Sequence, residues 1–139
     1  MLDSRKVING SLCKVYHDGE WLTNATGLEI VAEINYEDVP RAGTRKLGKK
    51  ATTIDMTGTL TGLKVNHNLV RAISQIMDDG QGAFITELLA QIDDPEATDA
   101  RGFIRVKGVQ FNTIPILNYE HGSIVEEELP FVYDDFEFL

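Results

Sequence analysis

The chain has 139 residues, 42% hydrophobic and 25% charged, with 13 Lys+Arg against 22 Asp+Glu for a formal net charge of -9. That length builds one domain with one core, and no apolar run approaches the ~20 residues of a bilayer-spanning helix. The single cysteine, Cys13, excludes an internal disulfide and a multi-cysteine metal site, while the acidic balance argues against tight nucleic-acid binding, whose affinity comes from neutralising cations.

The N-terminal "MLDSRKVINGSLCKVY" has no signal-peptide core, so the cytosol is the expected site of synthesis and retention, without a membrane anchor. Next, "LCKVYHDGEWLT" alternates apolar and polar residues around Asp18-Gly19, a two-residue hairpin signal. In "ATGLEIVAEINY", Leu28, Ile30, Ala32, Ile34 and Tyr36 share one face, with Glu29, Glu33 and Asn35 opposite. In "TTIDMTGTLTGLKV", Ile54, Met56, Gly58, Leu60 and Gly62 alternate with threonines and Asp55. These spacings predict two long, half-buried antiparallel strands.

Between them lies "VPRAGTRKLGKKA", which holds five of the 13 cations: Arg41, Arg45, Lys46, Lys49 and Lys50. A connection of roughly fourteen residues far exceeds the ~2–5 of an ordinary hairpin, and such loops tend to be functional. With few large apolar groups it cannot hold itself ordered against a backbone cost of about 1–2 kcal/mol per residue. Something outside the domain must supply that energy. The charge split names a candidate: residues 1–77 carry 10 basic and 8 acidic side chains, residues 78–139 carry 3 and 14. Opposite surfaces on one molecule invite copies to meet head to tail.

Further along, "NHNLVRAISQIMDDG" carries Leu69, Val70, Ile73, Ile76 and Met77 at helical spacing, with Asn66 or Asn68 as the expected cap and Gly80 as a left-handed terminator. Asp78 and Asp79 oppose the helix dipole and are expected to be solvated. The segments "AFITELLAQI", "FIRVKGVQF" and "LPFVYDDFEF" read as further strands. In the last, Phe136 and Phe138 break the parity of Leu129, Phe131 and Tyr133, which predicts a bulge near Asp134-Asp135. The whole is one mainly β domain over residues 1–139: an antiparallel barrel or sandwich with one flanking helix and a long loop at about 37–50.

Nothing in the chain assembles into a catalytic centre. His17, His67 and His121 lack partners at ligand spacing, and "DDPEATD" lacks the alternating oxygens, glycine and terminal Glu of an EF-hand, reading instead as a solvated turn. Glu126, Glu127 and Glu128 enter a strand, so two carboxylates face one way and one the other. Cys13 reads as a small packing residue. No cofactor, metal or enzymatic activity is expected.

The ordered set "GSLCKVYHDG" (Gly10 to Gly19), "AGTRKLGKKATTIDMTGTLTGLKV" and "GVQFNTIPILNYEHGSIVEEELPFVYDDFEFL" resembles the tail tube proteins of contractile-tailed phages and phage-tail-like bacteriocins. The likeness spans nearly the whole chain, with "DDPEATDARGFIRV" departing from the family pattern. It implies hexameric rings stacked into a hollow tube, and a loop (Arg41, Ala42, Gly43, Thr44, Arg45, Lys46, Lys49, Lys50) that reaches a neighbouring subunit or ring. It also implies a sheath outside, a tape-measure protein inside during assembly, a baseplate hub at the tip, and DNA only as passing cargo. The place implied is a virion tail or tail-like particle, assembled in the bacterial cytoplasm. One polar strand face should line the channel, with Glu29, Glu33 and Thr57 as candidates. The alternatives are a tube protein of a type VI secretion system and a monomeric β-barrel ligand-binding module.

Overall fold

The computed structural model describes all 139 residues. Asp18 (φ 51°) and Gly19 (φ 80°) both take left-handed backbone and join β1 (Cys13–His17) to β2 (Glu20–Trp21). That is the two-residue turn whose twist suits a hairpin. The remaining elements are β3 (Ala25–Val39), β4 (Gly48–Leu63), α1 (Asn68–Ile73), β5 (Ile85–Ile92), β6 (Gly102–Phe111), β7 (Glu126–Val132) and β8 (Asp135–Phe138). All strands join one antiparallel sheet in the order β2-β1-β5-β6-β7-β4-β3, with β8 beside β6. The sheet curls until β3 touches β1, without backbone pairing across that seam. Inside sit Val15, Leu60, Leu88, Val106, Val109, Leu129, Phe131 and Tyr133, closed over by Ile73 of α1. Gly58 makes room for this packing: a Cβ there would lie 2.5 Å from both the Phe131 ring and the Glu29 carbonyl oxygen.

Three expectations change. The helix is short: after six α-helical residues the chain tightens into a 3-10 turn, Ser74–Met77. Tighter winding rotates side chains off the stripe, so Val70 and Ile73 are buried while Ile76 and Met77 are exposed. Asn66 does accept from the Asn68 amide (3.0 Å), but Gly80 is not left-handed. Asp78 ends the segment instead, accepting from the Gly80 amide at 3.0 Å.

The expected bulge is a kink shared by two strands. β7 and β8 pair with β6 in one register (Phe111 with Phe131, Lys107 with Asp135), broken between Val132 and Asp135. Gly108 (φ 67°) lies at that break, where a Cβ would come within 2.4 Å of Asp134 Oδ2. Because β6 switches faces at the same point, Val106 and Val109 are both fully buried despite their odd spacing. Cys13, finally, is exposed rather than packed.

Candidate assembly surfaces

β3 and β4 pair from Ala25–Gly62 out to Val39–Gly48, so the connection is Pro40–Leu47, eight residues rather than the fourteen expected. The difference has a local cause. Asp38 faces Lys49 and Glu37 faces Lys50 across the strands, and opposite charges at facing positions favour pairing. Asp38 and Lys49 form an ion pair. Lys49 and Lys50 are therefore strand residues, while Arg41, Ala42, Gly43, Thr44, Arg45 and Lys46 form the tip. Gly43 turns with φ 79°, Thr44 Oγ1 accepts from the Lys46 amide (3.2 Å), and the Arg41 guanidinium lies over Gly48.

β7 accompanies β4 only from Thr57 onward. Beyond Val31 and Thr57 the β3–β4 pair runs on as a two-stranded ribbon, roughly 25 Å long at ~3.3 Å per residue. Ile34 (48% exposed), Tyr36 (59%) and Ile54 (58%) lie bare on one side of it, so the strands expected to be half-buried are covered only near the body. A step between Asn35 and Tyr36 in the register bulges Thr52, whose hydroxyl donates to the Asn35 carbonyl. The Asn35 side-chain Nδ2 also donates to Thr53 Oγ1 and Asp55 Oδ2, both at 3.0 Å.

Glu29, Glu33 and Thr57 come together. Glu29 faces Thr59, Glu33 faces Asp55 and Thr57 faces Val31, so all three lie on the side of the sheet away from the core, exposed. Thr61 extends this polar face to Glu128 on β7.

Ion pairing decides where free charge remains. Arg5, Lys6, Lys14, Lys49, Lys64, Arg101, Arg105 and Lys107 each hold a carboxylate within 4 Å. The five cations without one are Arg41, Arg45, Lys46, Lys50 and Arg71, so four of the five sit at or beside the tip.

Two features escaped the sequence reading. Lys64 and Glu127 form a pair at 3.1 Å with side chains only 6% and 10% exposed, and Lys64 also donates to the Pro115 carbonyl. Of the three consecutive glutamates, Glu127 has the parity of Leu129 and Phe131 and points inward, whereas Glu126 and Glu128 are exposed. The second is the acid-rich turn, which is a junction rather than a solvated bend. Asp94 is buried and accepts from the amides of Asn9 and Glu96, both at 3.0 Å. The Asp-Pro pair, a turn initiator, was the available signal. Beside it the Arg101 guanidinium, 3.0 Å from Asp93, holds that carboxyl below its usual value against some desolvation, with Lys14 adding to the effect. Among the histidines, His17 Nε2 lies 2.9 Å from Thr86 Oγ1 with its ring edge-on to Phe84, while His67 and His121 are exposed.

A one-helix β domain with a projecting ribbon, an uncovered apolar strip and free cations gathered at one tip is a subunit shaped for assembly. Its family is that of the phage tail tube proteins: the family model matches residues 1–139, and the chain belongs to it as a structural subunit of a tube. Two relatives come from Bacillus subtilis strain 168. One, the uncharacterized protein YqbM, is 32% identical over 98% of this chain and 92% of its own. The other, the phage-like element PBSX protein XkdM, is 28% identical with the same coverage. Among solved structures, the fold is similar to a chain of the sheath/tube terminator of the PVC extracellular contractile injection system, extended state (TM-score 0.76, 11% identity, 96% of each chain). It is also similar to a chain of the tail of an empty gene transfer agent particle of C6 symmetry (TM-score 0.53, 12% identity, 100% of this chain and 99% of the other).

Proposed function

We propose that copies of this chain close into hexameric rings that stack as the inner tube of a contractile tail or tail-like particle. Surface area carries the reading. The chain exposes 10056 Å², whereas a compact monomer of its 15.5 kDa exposes about 7,200 Å². The excess, roughly 2,800 Å², matches an obligate interface. The exposed ribbon contributes to it, and β3 lies at the sheet edge with its outer backbone groups unpaired. A neighbour's strand can add to such an edge, and the bare strip of Ile34, Tyr36 and Ile54 can pack at the same contact. The sixfold symmetry and the contractile setting are supported by the fold shared with the gene transfer agent tail and the injection-system chain.

In this arrangement the polar face with Glu29, Glu33 and Thr57 lines the channel. A negative wall suits phosphate-bearing cargo, since repulsion prevents the adhesion a basic wall would cause. The sheath packs outside, a tape-measure protein occupies the channel during assembly, and a baseplate hub receives the end. The particle is assembled in the bacterial cytoplasm. The chain itself carries no catalytic task.

The test is assembly against concentration, by sedimentation velocity and negative-stain microscopy. The wild-type chain is expected to form rings and tubes. Because Val39 already faces Gly48, Pro40–Leu47 can be replaced by Asn-Gly, the turn that fits a two-residue hairpin. That variant should keep its circular dichroism spectrum and form no tubes. A wild-type chain that stays monomeric across concentration, salt and baseplate seeds overturns the reading.

A further inference from the structure

Asn9 is the one asparagine of the chain that precedes a glycine. At such a pair the following main-chain nitrogen attacks the side-chain amide most readily, because no Cβ on the second residue crowds it. Both residues are exposed, and a Cβ at Gly10 would meet nothing within 4 Å, so the space a ring needs is free. Local bonds hold the pair in its present shape. The Asn9 amide donates to Asp94 Oδ2, and Asn9 Oδ1 accepts from the Ser11 amide, both at 3.0 Å. The Asn9 carbonyl accepts from the Leu12 amide at 3.1 Å, and the Leu12 carbonyl from the Asp93 amide at 3.2 Å.

These bonds fix Asn9 at φ -94°, ψ 114°. In an L residue that ψ swings the Gly10 nitrogen away from Cβ, whereas ring closure needs the nitrogen beside Cβ. Asn9 must therefore rotate about ψ before it reacts, and it cannot do so while Asp93 and Asp94 hold both ends of the turn.

We propose that Asn9 is a self-modification site latched by Asp94: when residues 1–12 lift from the acid-rich turn, Asn9-Gly10 closes to a succinimide, opens to isoaspartate, and no longer redocks. The Gly10 nitrogen attacks Asn9 Cγ, its proton leaves to solvent, and ammonia departs from Cγ. Water then adds to one of the two ring carbonyls. Addition at Cγ breaks the bond to the Gly10 nitrogen and leaves aspartate. Addition at the main-chain carbonyl leaves isoaspartate, with the backbone routed through Cγ. The proposal concerns the single chain and stands apart from the tube reading.

The segment is built to open. No residue of its two 3-10 turns is buried, and Lys6–Asp99, a further link to the acid-rich turn, is a surface pair at 3.8 Å. Such pairs hold weakly, and termini open locally far more often than the whole molecule unfolds. Asp94 is the fixed half of the latch, buried and held by the Glu96 amide at 3.0 Å. Isoaspartate lengthens the backbone inside the turn and sets a carboxylate beside the amide that met Asp94. Aspartate keeps both the backbone and a side-chain acceptor for Ser11, so that product redocks.

The experiment incubates the full chain at mildly alkaline pH, folded or unfolded in guanidinium chloride. Isoaspartate at residue 9 is read by peptide mapping with electron-transfer fragmentation. The folded chain should react at least about tenfold more slowly than the unfolded one, the protection expected of a hydrogen bond to a carboxylate. D94A should lose most of that protection. Where D94A fails to fold, wild-type amide exchange supplies the same test, because one opening governs both processes: protection of the Asn9 amide should match the ratio of the two reaction rates. G10A should react far more slowly in either state. Folded chains that react as fast as unfolded ones overturn the latch. So does a folded D94A chain as protected as wild type, or an Asn9 amide that exchanges freely while modification stays slow. An unfolded chain without isoaspartate at residue 9 overturns the site itself. Finally, N9D should keep amide protection at residue 9 and aged isoaspartyl chains should lose it; equal protection in the two overturns the one-way step.

Discussion

Lys64 and Glu127 are the most exposed to consequence among the single residues, because each side chain is largely shielded from solvent and each depends on the other's charge. A buried carboxylate left alone costs about 3–5 kcal/mol, whereas replacing both ions with apolar groups is often neutral. Lys64→Met should therefore lower the stability of the monomeric chain by that amount, read from the midpoint of urea unfolding. K64M/E127L should recover most of the loss. Equal destabilisation in single and double variants would show that the packing of the lysine stem, rather than its charge, matters there. Nothing in "EEE" separates its three glutamates by composition. Strand parity does separate them, and the inward one needed a partner that only the fold could identify, 63 residues away in sequence.

At the scale of elements, the β3–β4 pair changes character along its length. Near the body it has β7 on one side and the core beneath it; beyond Val31 it is an isolated ribbon, and two-stranded ribbons are marginal in water. Tyr133 anchors its base with two bonds: its backbone amide donates to the Met56 carbonyl at 3.3 Å and its hydroxyl to the Val31 carbonyl at 2.8 Å. Burial raises the pKa of Tyr133, so the donor keeps its proton well past neutral pH. Tyr133→Phe should cost about 0.5–1.5 kcal/mol. In the monomer, amide exchange should rise steeply from Ile30 to Asn35 along β3, and the variant should extend fast exchange further toward the body. Assembly should slow exchange throughout the ribbon. Uniform protection along β3 in the monomer would mean that the ribbon holds its own structure without a neighbour.

For the whole molecule, the charge that remains after local pairing is what assembly can use. Within a few ångströms of a wall the screening length of ~8–10 Å near physiological salt leaves lumen charges effective. The substitutions E29K/E33K change exposed side chains on the polar face, so tubes should form while passage of polyanionic cargo slows. In particles without DNA, the ion conductance of the tube should shift toward anions. Tubes that form and behave as wild type in both assays would place Glu29 and Glu33 away from the channel.

The amino-acid sequence by itself determined the elements and their faces. Alternation marked β3 and β4, Asp18-Gly19 set their small hairpin neighbour, and the parity break at Phe136 announced a change of face, because strand period and turn chemistry are local properties. The concentration of cations between residues 41 and 50 was equally legible, as was the resemblance to tail tube proteins. Only the tertiary structure decided which of those cations are free. Lys49 met Asp38 across the ribbon, while Arg45 and Lys46 met nothing. It also decided that the face switch is taken by β6 at Gly108 as well as by the β7–β8 strand, and that Glu127 turns inward to Lys64 while its neighbours stay out. These outcomes depend on cross-strand register and on which groups share a buried volume. Register joins residues far apart in the chain, so no local pattern carries it.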